Sequence, residues 1–227
     1  MPPLATGSFA SAVDHTLLDA SAQATDIDRL CDEARRHSFA AVCVYPWWVE
    51  RAAARLDGGA AVCTVIGFPH GLDRTPAKVA AARDALSAGA DEIDAVLAYG
   101  ALRSGQDETV LVDARALAEA VHERGGLLKL IVESARLDDD GLRRACAVVA
   151  ASGADFAKTS TGFGGGGATV EAVTAMRGEL PERVSIKASG GIRSAEAAEA
   201  LLTAGATRLG TSSAVAILAE LERHAVA

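Results

Sequence analysis

Ser152-Gly153-Ala154-Asp155-Phe156-Ala157-Lys158 sets the architecture, because the chain uses its opening word again. Ser87-Ala88-Gly89-Ala90-Asp91 and Ala204-Gly205-Ala206-Thr207 repeat the same junction, and His37-Ser38-Phe39-Ala40 is a looser version. A glycine that follows a helical stretch reads as a C-terminal cap, since it accepts positive φ without strain. Five residues beyond each glycine stand Asp94, Lys158 and Gly210, and the same count from Ser38 reaches Cys43. Equal distance from the cap implies similar height on a strand, and equal parity implies the same face. An acid, a lysine, a glycine and a cysteine are therefore expected together near the C-terminal end of one sheet.

Outward from these junctions the pattern is short apolar strand, then amphipathic helix, to the end of the chain. Strands are expected at Ala12–Leu17, Ala41–Tyr45, Ala61–Gly67, Glu92–Leu97, Leu127–Val132, Phe156–Lys158, Val184–Ala188 and Thr207–Gly210. Helices are expected at Ala24–His37, Trp48–Leu56, Pro76–Ala88, Glu108–Arg124, Asp138–Ala151, Thr169–Arg177, Ala195–Ala204 and Ser213–Arg223, with Ser194 as an N-cap. The strands are rich in Val, Ile and Ala without strict alternation, as when both faces are covered. Eight such pairs predict a single (β/α)8 TIM barrel of the α/β class spanning residues 1–227; a doubly wound open sheet is the alternative. Residues 1–8 read as a flexible N-terminal tail.

Composition narrows the function. Half of the 227 residues are hydrophobic and 23% are charged, so a core can form. The 22 basic and 30 acidic residues leave a net charge of −8, which argues against nucleic acid as a partner. Cys31, Cys43, Cys63 and Cys146 show no paired spacing and read as reduced, buried thiols. The N-terminus lacks a signal peptide, and no apolar stretch is long enough to span a membrane. A soluble, cytoplasmic protein is expected.

Lys158 and Lys187 occupy matching late positions on strands separated by one helix, so they should be neighbours. Two buried ammonium groups repel, which gains a fold nothing by itself. It does change reactivity: an ammonium about 4 Å away at an effective dielectric of about 20 contributes roughly 4 kcal/mol toward the neutral amine. A free lysine needs roughly 4 to 5 kcal/mol to become nucleophilic near neutrality. Such a pair suits Schiff-base chemistry, with either lysine as the nucleophile. Asp94 can act as acid and base. Glu92 and Arg208 read as a deeper structural pair, and Lys129 with Glu133 as a polar layer below the reactive centre.

Glycine runs at Gly162–Gly167, Gly190-Gly191 and Gly210 precede helices, and backbone amides at such junctions bind phosphate. None is a nucleotide-binding fingerprint, and no cluster has metal spacing; neither cofactor nor metal is expected.

Seven words then carry a family resemblance. They are Asp14-His15-Thr16-Leu17-Leu18, Val42-Cys43-Val44, Cys63-Thr64-Val65-Ile66-Gly67-Phe68-Pro69, Asp91-Glu92-Ile93-Asp94, Lys158-Thr159-Ser160-Thr161-Gly162-Phe163, Lys187-Ala188-Ser189-Gly190-Gly191-Ile192-Arg193 and Gly210-Thr211-Ser212-Ser213. Together they resemble the deoxyribose-phosphate aldolases, class I aldolases, over Val13 to Leu218. The resemblance implies a lyase that splits 2-deoxy-D-ribose 5-phosphate reversibly into acetaldehyde and D-glyceraldehyde 3-phosphate, in deoxynucleotide catabolism and as a homo-oligomer. By the same resemblance Lys158 forms the Schiff base, Lys187 tunes it by charge, and Asp94 moves protons. Gly162, Gly190, Gly191, Ser212 and Ser213 would hold the phosphate, and Asp14, Thr16, Cys43 and Thr159 would line the pocket. The chain departs from some relatives at Phe163, where they carry lysine, and in ending without a tyrosine.

Overall fold

The computed structural model describes residues 4–226, with side chains described as far as His224. Eight strands, β1 (Val13–Leu17), β2 (Ala41–Val44), β3 (Ala61–Ile66), β4 (Glu92–Val96), β5 (Leu127–Ile131), β6 (Phe156–Lys158), β7 (Ser185–Ser189) and β8 (Arg208–Thr211), close into a barrel. Every pairing is parallel, including β8 back to β1. The open-sheet alternative is excluded by that closure.

Helices α2 (Ala24–His37), α3 (Val49–Leu56), α4 (Thr75–Ser87), α6 (Asp107–His122), α7 (Asp139–Ser152), α8 (Val170–Glu179), α9 (Ala195–Thr203) and α10 (Ala214–Val226) follow the eight strands in turn. Two short helices fall outside the expected pattern: α1 (Thr6–Ala10) and α5 (Tyr99–Arg103). Of the segment 1–8 expected as a tail, residues 1–3 lie outside the described residues, and Thr6–Ser8 open α1.

The repeated junction word has a visible cause. Gly89, Gly153 and Gly205 all take left-handed backbone, with φ of 105°, 92° and 114°, and Ser38 adopts it at 56°. The aspartate that ends two of the words then ties the next strand to the previous one. Asp91 accepts the Val62 N–H at 2.8 Å, and Asp155 accepts the Leu128 N–H at 2.8 Å. Ser194 caps its helix as the sequence indicates, accepting from the Ala197 N–H, and Thr169 and Asp138, expected as first helical residues, are also N-caps.

Outward-facing strand residues such as Val42, Val44, Ile93, Leu128, Leu130, Ile186 and Leu209 pack under the helices in one continuous apolar layer. Inside the barrel, a separate small apolar cluster contains Ala41, Cys43, Cys63 and Val65. Charged side chains from the other strands gather inside the barrel and form the floor of the site.

Candidate active site

The register places Lys158 directly opposite Lys187, so the two lysines are ladder neighbours as their spacing implies. They do not simply repel. Asp94 Oδ2 accepts from both ammonium groups, each at 2.7 Å. Lys187 also donates to Asp14 Oδ2. Asp14 Oδ1 in turn accepts from Arg208 at 2.6 Å. Lys129 completes the network, 2.9 Å from Asp94 Oδ1 and 2.5 Å from Glu92 Oε2. Arg208 lies 3.4 Å from Glu92, the deeper pair expected from sequence.

Four cations and three carboxylates thus share the interior, an excess of one positive charge. They are not equivalent. Lys187 touches two carboxylates and Lys129 touches Asp94 and Glu92, whereas Lys158 touches Asp94 alone. Burial works to raise Asp94, but Lys129, Lys158 and Lys187 hold it well below the ordinary carboxylate range. Burial likewise opposes ionised Asp14, yet Lys187, Lys129 and Arg208 bring it down to about 2. Lys187 moves the other way: desolvation would lower it, but Asp14 and Asp94 push it well above the ordinary lysine range.

Lys158 is the lysine that meets open space. A cavity of about 390 Å³ at the C-terminal mouth is bordered by Thr16, Lys158, Gly162, Gly190, Gly191 and Ser212, with Arg193 and Phe163 also on its wall. Its glycines are structurally required. Gly190 has φ of 90°, and its Cα packs against those of Gly162 and Gly167, so three loop backbones cross where side chains would collide. Gly210 lacks the Cβ that would sit 3.1 Å from Lys187 Cε, which leaves the lysine its berth.

The other expected lining residues sit elsewhere. Asp14, Cys43 and Thr159 are wholly buried and do not border the cavity. Asp14 holds Lys187 from below, Cys43 faces the apolar interior cluster, and Thr159 Oγ1 accepts the Ser189 N–H at 3.1 Å, joining β6 to β7. Ser213 lies just outside, its N–H donated to Thr211 Oγ1.

Two placements correct the sequence reading of β5. Lys129 belongs to the reactive network itself, through Asp94, not to a layer below it. Glu133 does not share its face, because β5 ends at Ile131 and Glu133 turns left-handed, with φ of 55°. Its buried carboxylate instead accepts from Thr161 Oγ1 at 2.5 Å, and Thr161 Oγ1 accepts the Phe163 N–H, which shapes the loop after β6. The positive φ was the missing signal, and no residue type announced it.

Donor atoms of Cys43, Cys63 and Asp94 lie within 4.8 Å of one another, a convergence that the spacing of the cysteines does not reveal. Three ammonium groups already occupy Asp94, so a metal ion there would have to displace them.

Residues 9–219 match the family described as DeoC/LacD family aldolase. The chain is 47% identical over 222 residues to the deoxyribose-phosphate aldolase of Micrococcus luteus, covering 95% of this chain and 97% of that one. It is 49% identical over 207 residues to the enzyme of that name from Brevibacillus brevis, covering 91% and 93%. Among solved structures, the tetrameric deoxyribose phosphate aldolase from Aeropyrum pernix superposes with a TM-score of 0.90 at 32% identity, covering 96% of this chain and 92% of that one.

Proposed function

The chain belongs to the DeoC/LacD aldolase family, and from that premise we propose that it cleaves 2-deoxy-D-ribose 5-phosphate reversibly into acetaldehyde and D-glyceraldehyde 3-phosphate through a Schiff base on Lys158. One observation carries this reading. Lys158 borders the cavity and holds a single carboxylate contact, whereas Lys187 and Lys129 are buried among two or more carboxylates. Deprotonated, Lys158 is in the form able to attack a carbonyl.

The neutral Lys158 amine adds to the open-chain aldehyde carbon and loses water to give a protonated imine. That imine draws electrons from the neighbouring carbon–carbon bond as the 3-hydroxyl gives up its proton. D-glyceraldehyde 3-phosphate departs, and an enamine remains on Lys158. Protonation of the enamine carbon and hydrolysis release acetaldehyde and restore the amine. Asp94, bonded to both lysines, is the proton carrier in this scheme, and Lys187 keeps the local charge positive. The imine is the electron sink, so the scheme needs no metal or organic cofactor. The phosphate is held by backbone amides at Gly162, Gly190, Gly191 and Ser212, with Thr16 also on the cavity wall, while Ser213 supports that loop through its N–H on Thr211. Asp14 and Thr159 act through their neighbours, and Cys43 packs behind the reactive centre.

The natural partners are then a sugar phosphate and small aldehydes. We also read the protein as a cytoplasmic homo-oligomer of deoxynucleotide catabolism. Among the described residues no helix is long and apolar enough to cross a membrane, and the Aeropyrum pernix relative is described as a tetramer.

Borohydride reduction with acetaldehyde tests the proposal. A two-carbon adduct is expected on the peptide containing Lys158, absent in Lys158→Met, together with aldehyde release from deoxyribose 5-phosphate that persists in a chelator. An intact protein that forms no adduct would be a sugar-phosphate binding barrel without turnover. An adduct formed with a ketone or pyruvate in place of acetaldehyde would identify a different Schiff-base aldolase.

A further inference from the structure

Cys43 and Cys63 are register partners on β2 and β3, and both point into the barrel, wholly buried. Their sulphurs lie within 4.8 Å of each other and of an Asp94 carboxylate oxygen. The Cys63 thiol donates to Asp94 Oδ1 at 3.1 Å, and Lys129 Nζ donates to Cys63 Sγ at 3.4 Å. The proposed aldol chemistry uses neither thiol as a reactant. The remaining cysteines are different: Cys31 and Cys146 lie in the outer apolar layer, where burial pushes their thiols up to about 11 and about 12. The neighbouring Cys63 side chain draws the Cys43 thiol down against its own burial, and Lys187 and Lys158 add to the effect while Asp94 opposes it. Cys43 is thus the more nucleophilic member of the pair.

We propose that Cys43 and Cys63 are a peroxide-sensitive pair that closes into a reversible disulfide, and that this bond switches the catalytic network off. Neighbouring strands lie about 4.8 Å apart, inside the Cα separation of roughly 4.4 to 6.8 Å that a disulfide spans. The chemistry balances with hydrogen peroxide as oxidant. The Cys43 thiolate attacks one peroxide oxygen, the O–O bond breaks, and hydroxide leaves a sulfenic acid on Cys43. Cys63 then gives up its proton and attacks that sulphur, the S–O bond breaks, and water departs. Two thiols lose two electrons and two protons, and one peroxide becomes two waters.

The consequence reaches Asp94. A disulfide sulphur has no proton to donate, so Asp94 Oδ1 loses its Cys63 partner. Cys63 Sγ is also drawn toward Cys43 and away from Lys129. The carboxylate that joins Lys158 to Lys187 is thereby repositioned.

The cross-link itself does not depend on the proposed substrate; only the activity readout does. Reduced protein is treated with hydrogen peroxide, the remaining thiols are capped with N-ethylmaleimide, and non-reduced peptides are analysed by mass. The expected result is a Cys43–Cys63 peptide pair, lighter by two hydrogens and released by dithiothreitol. Aldehyde release from deoxyribose 5-phosphate should fall at least tenfold and return on reduction. In Cys63→Ala, compared with its own untreated rate, the dithiothreitol-reversible loss should vanish. Sulfinic or sulfonic acid at Cys43 without a linked peptide overturns the proposal, and so does a linked protein with an unchanged rate. If the reduced protein shows no aldolase activity, the linked peptide still decides whether the pair exists, and it is the functional reading that fails.

Discussion

The inward faces of β2 and β3 differ in kind from those of the other six strands. β2 and β3 contribute Ala41, Cys43, Cys63 and Val65, while β1 and β4–β8 contribute Asp14, Glu92, Asp94, Lys129, Lys158, Lys187 and Arg208. Neither half would make the proposed nucleophilic lysine alone. A wholly apolar interior would exclude the carboxylates that hold Lys187 charged, and a wholly polar one would admit water to screen the excess positive charge. With one dry wall, the sum of the seven charges counts. One positive charge too many rests on the network, and the cavity-facing lysine has the fewest carboxylate partners.

The largest test removes a cation from the charged half. In Lys187→Leu three cations face three carboxylates, so the excess positive charge around Asp94 is gone. Turnover at neutral pH should fall roughly a thousandfold, the equivalent of about 4 kcal/mol. Part of the loss should return at alkaline pH, the signature of a charge effect. Steady-state rates across pH decide this, and an equal loss at every pH would assign Lys187 another role.

Next in size is Asp14→Asn, which leaves Lys187 and Arg208 each short of a partner. Destabilisation at neutral pH should be roughly 3 to 5 kcal/mol by denaturant unfolding. The sign with pH follows from its depressed value. In the folded protein Asp14 sits at about 2 against an ordinary 3.8, so its contribution is present above 3.8 and is lost as pH falls through about 2. The variant should lack that part of the acid-induced loss. Identical acid profiles would show that Asp14 is not the linked group.

The smallest effect belongs to the apolar half. Val65→Ala should cost roughly 2 kcal/mol of stability and leave kcat within about twofold, because it opens a cavity without altering the charge balance. A large fall in kcat there would show that the dry wall positions the lysines as well as insulating them.

Much of this was legible from the chain. The three glycine junctions gave the barrel its spacing, and their counts brought Asp94, Lys158, Gly210 and Cys43 to one neighbourhood. Local pattern also revealed Lys158 beside Lys187 and Glu92 beside Arg208. The sharing of Asp94 was not legible, because it depends on barrel stagger: Asp94 is register partner to Lys129, while Lys158 is partner to Ile131. Parity failed at Glu133 for a local reason, its left-handed backbone. The pairing of Cys43 with Cys63 needed the ladder itself, since nineteen residues, α3 among them, separate them in the chain.

Closure of the sheet bears on handling as well as chemistry. Because β8 returns to β1, the barrel has no unpaired flank against which a neighbouring molecule could add its own strand. A concentrated solution should therefore resist ribbon-like aggregation until the wall between β8 and β1 opens. That seam runs beside Asp14 and Arg208, so the ion pair that steadies Lys187 also helps to keep the protein dispersed.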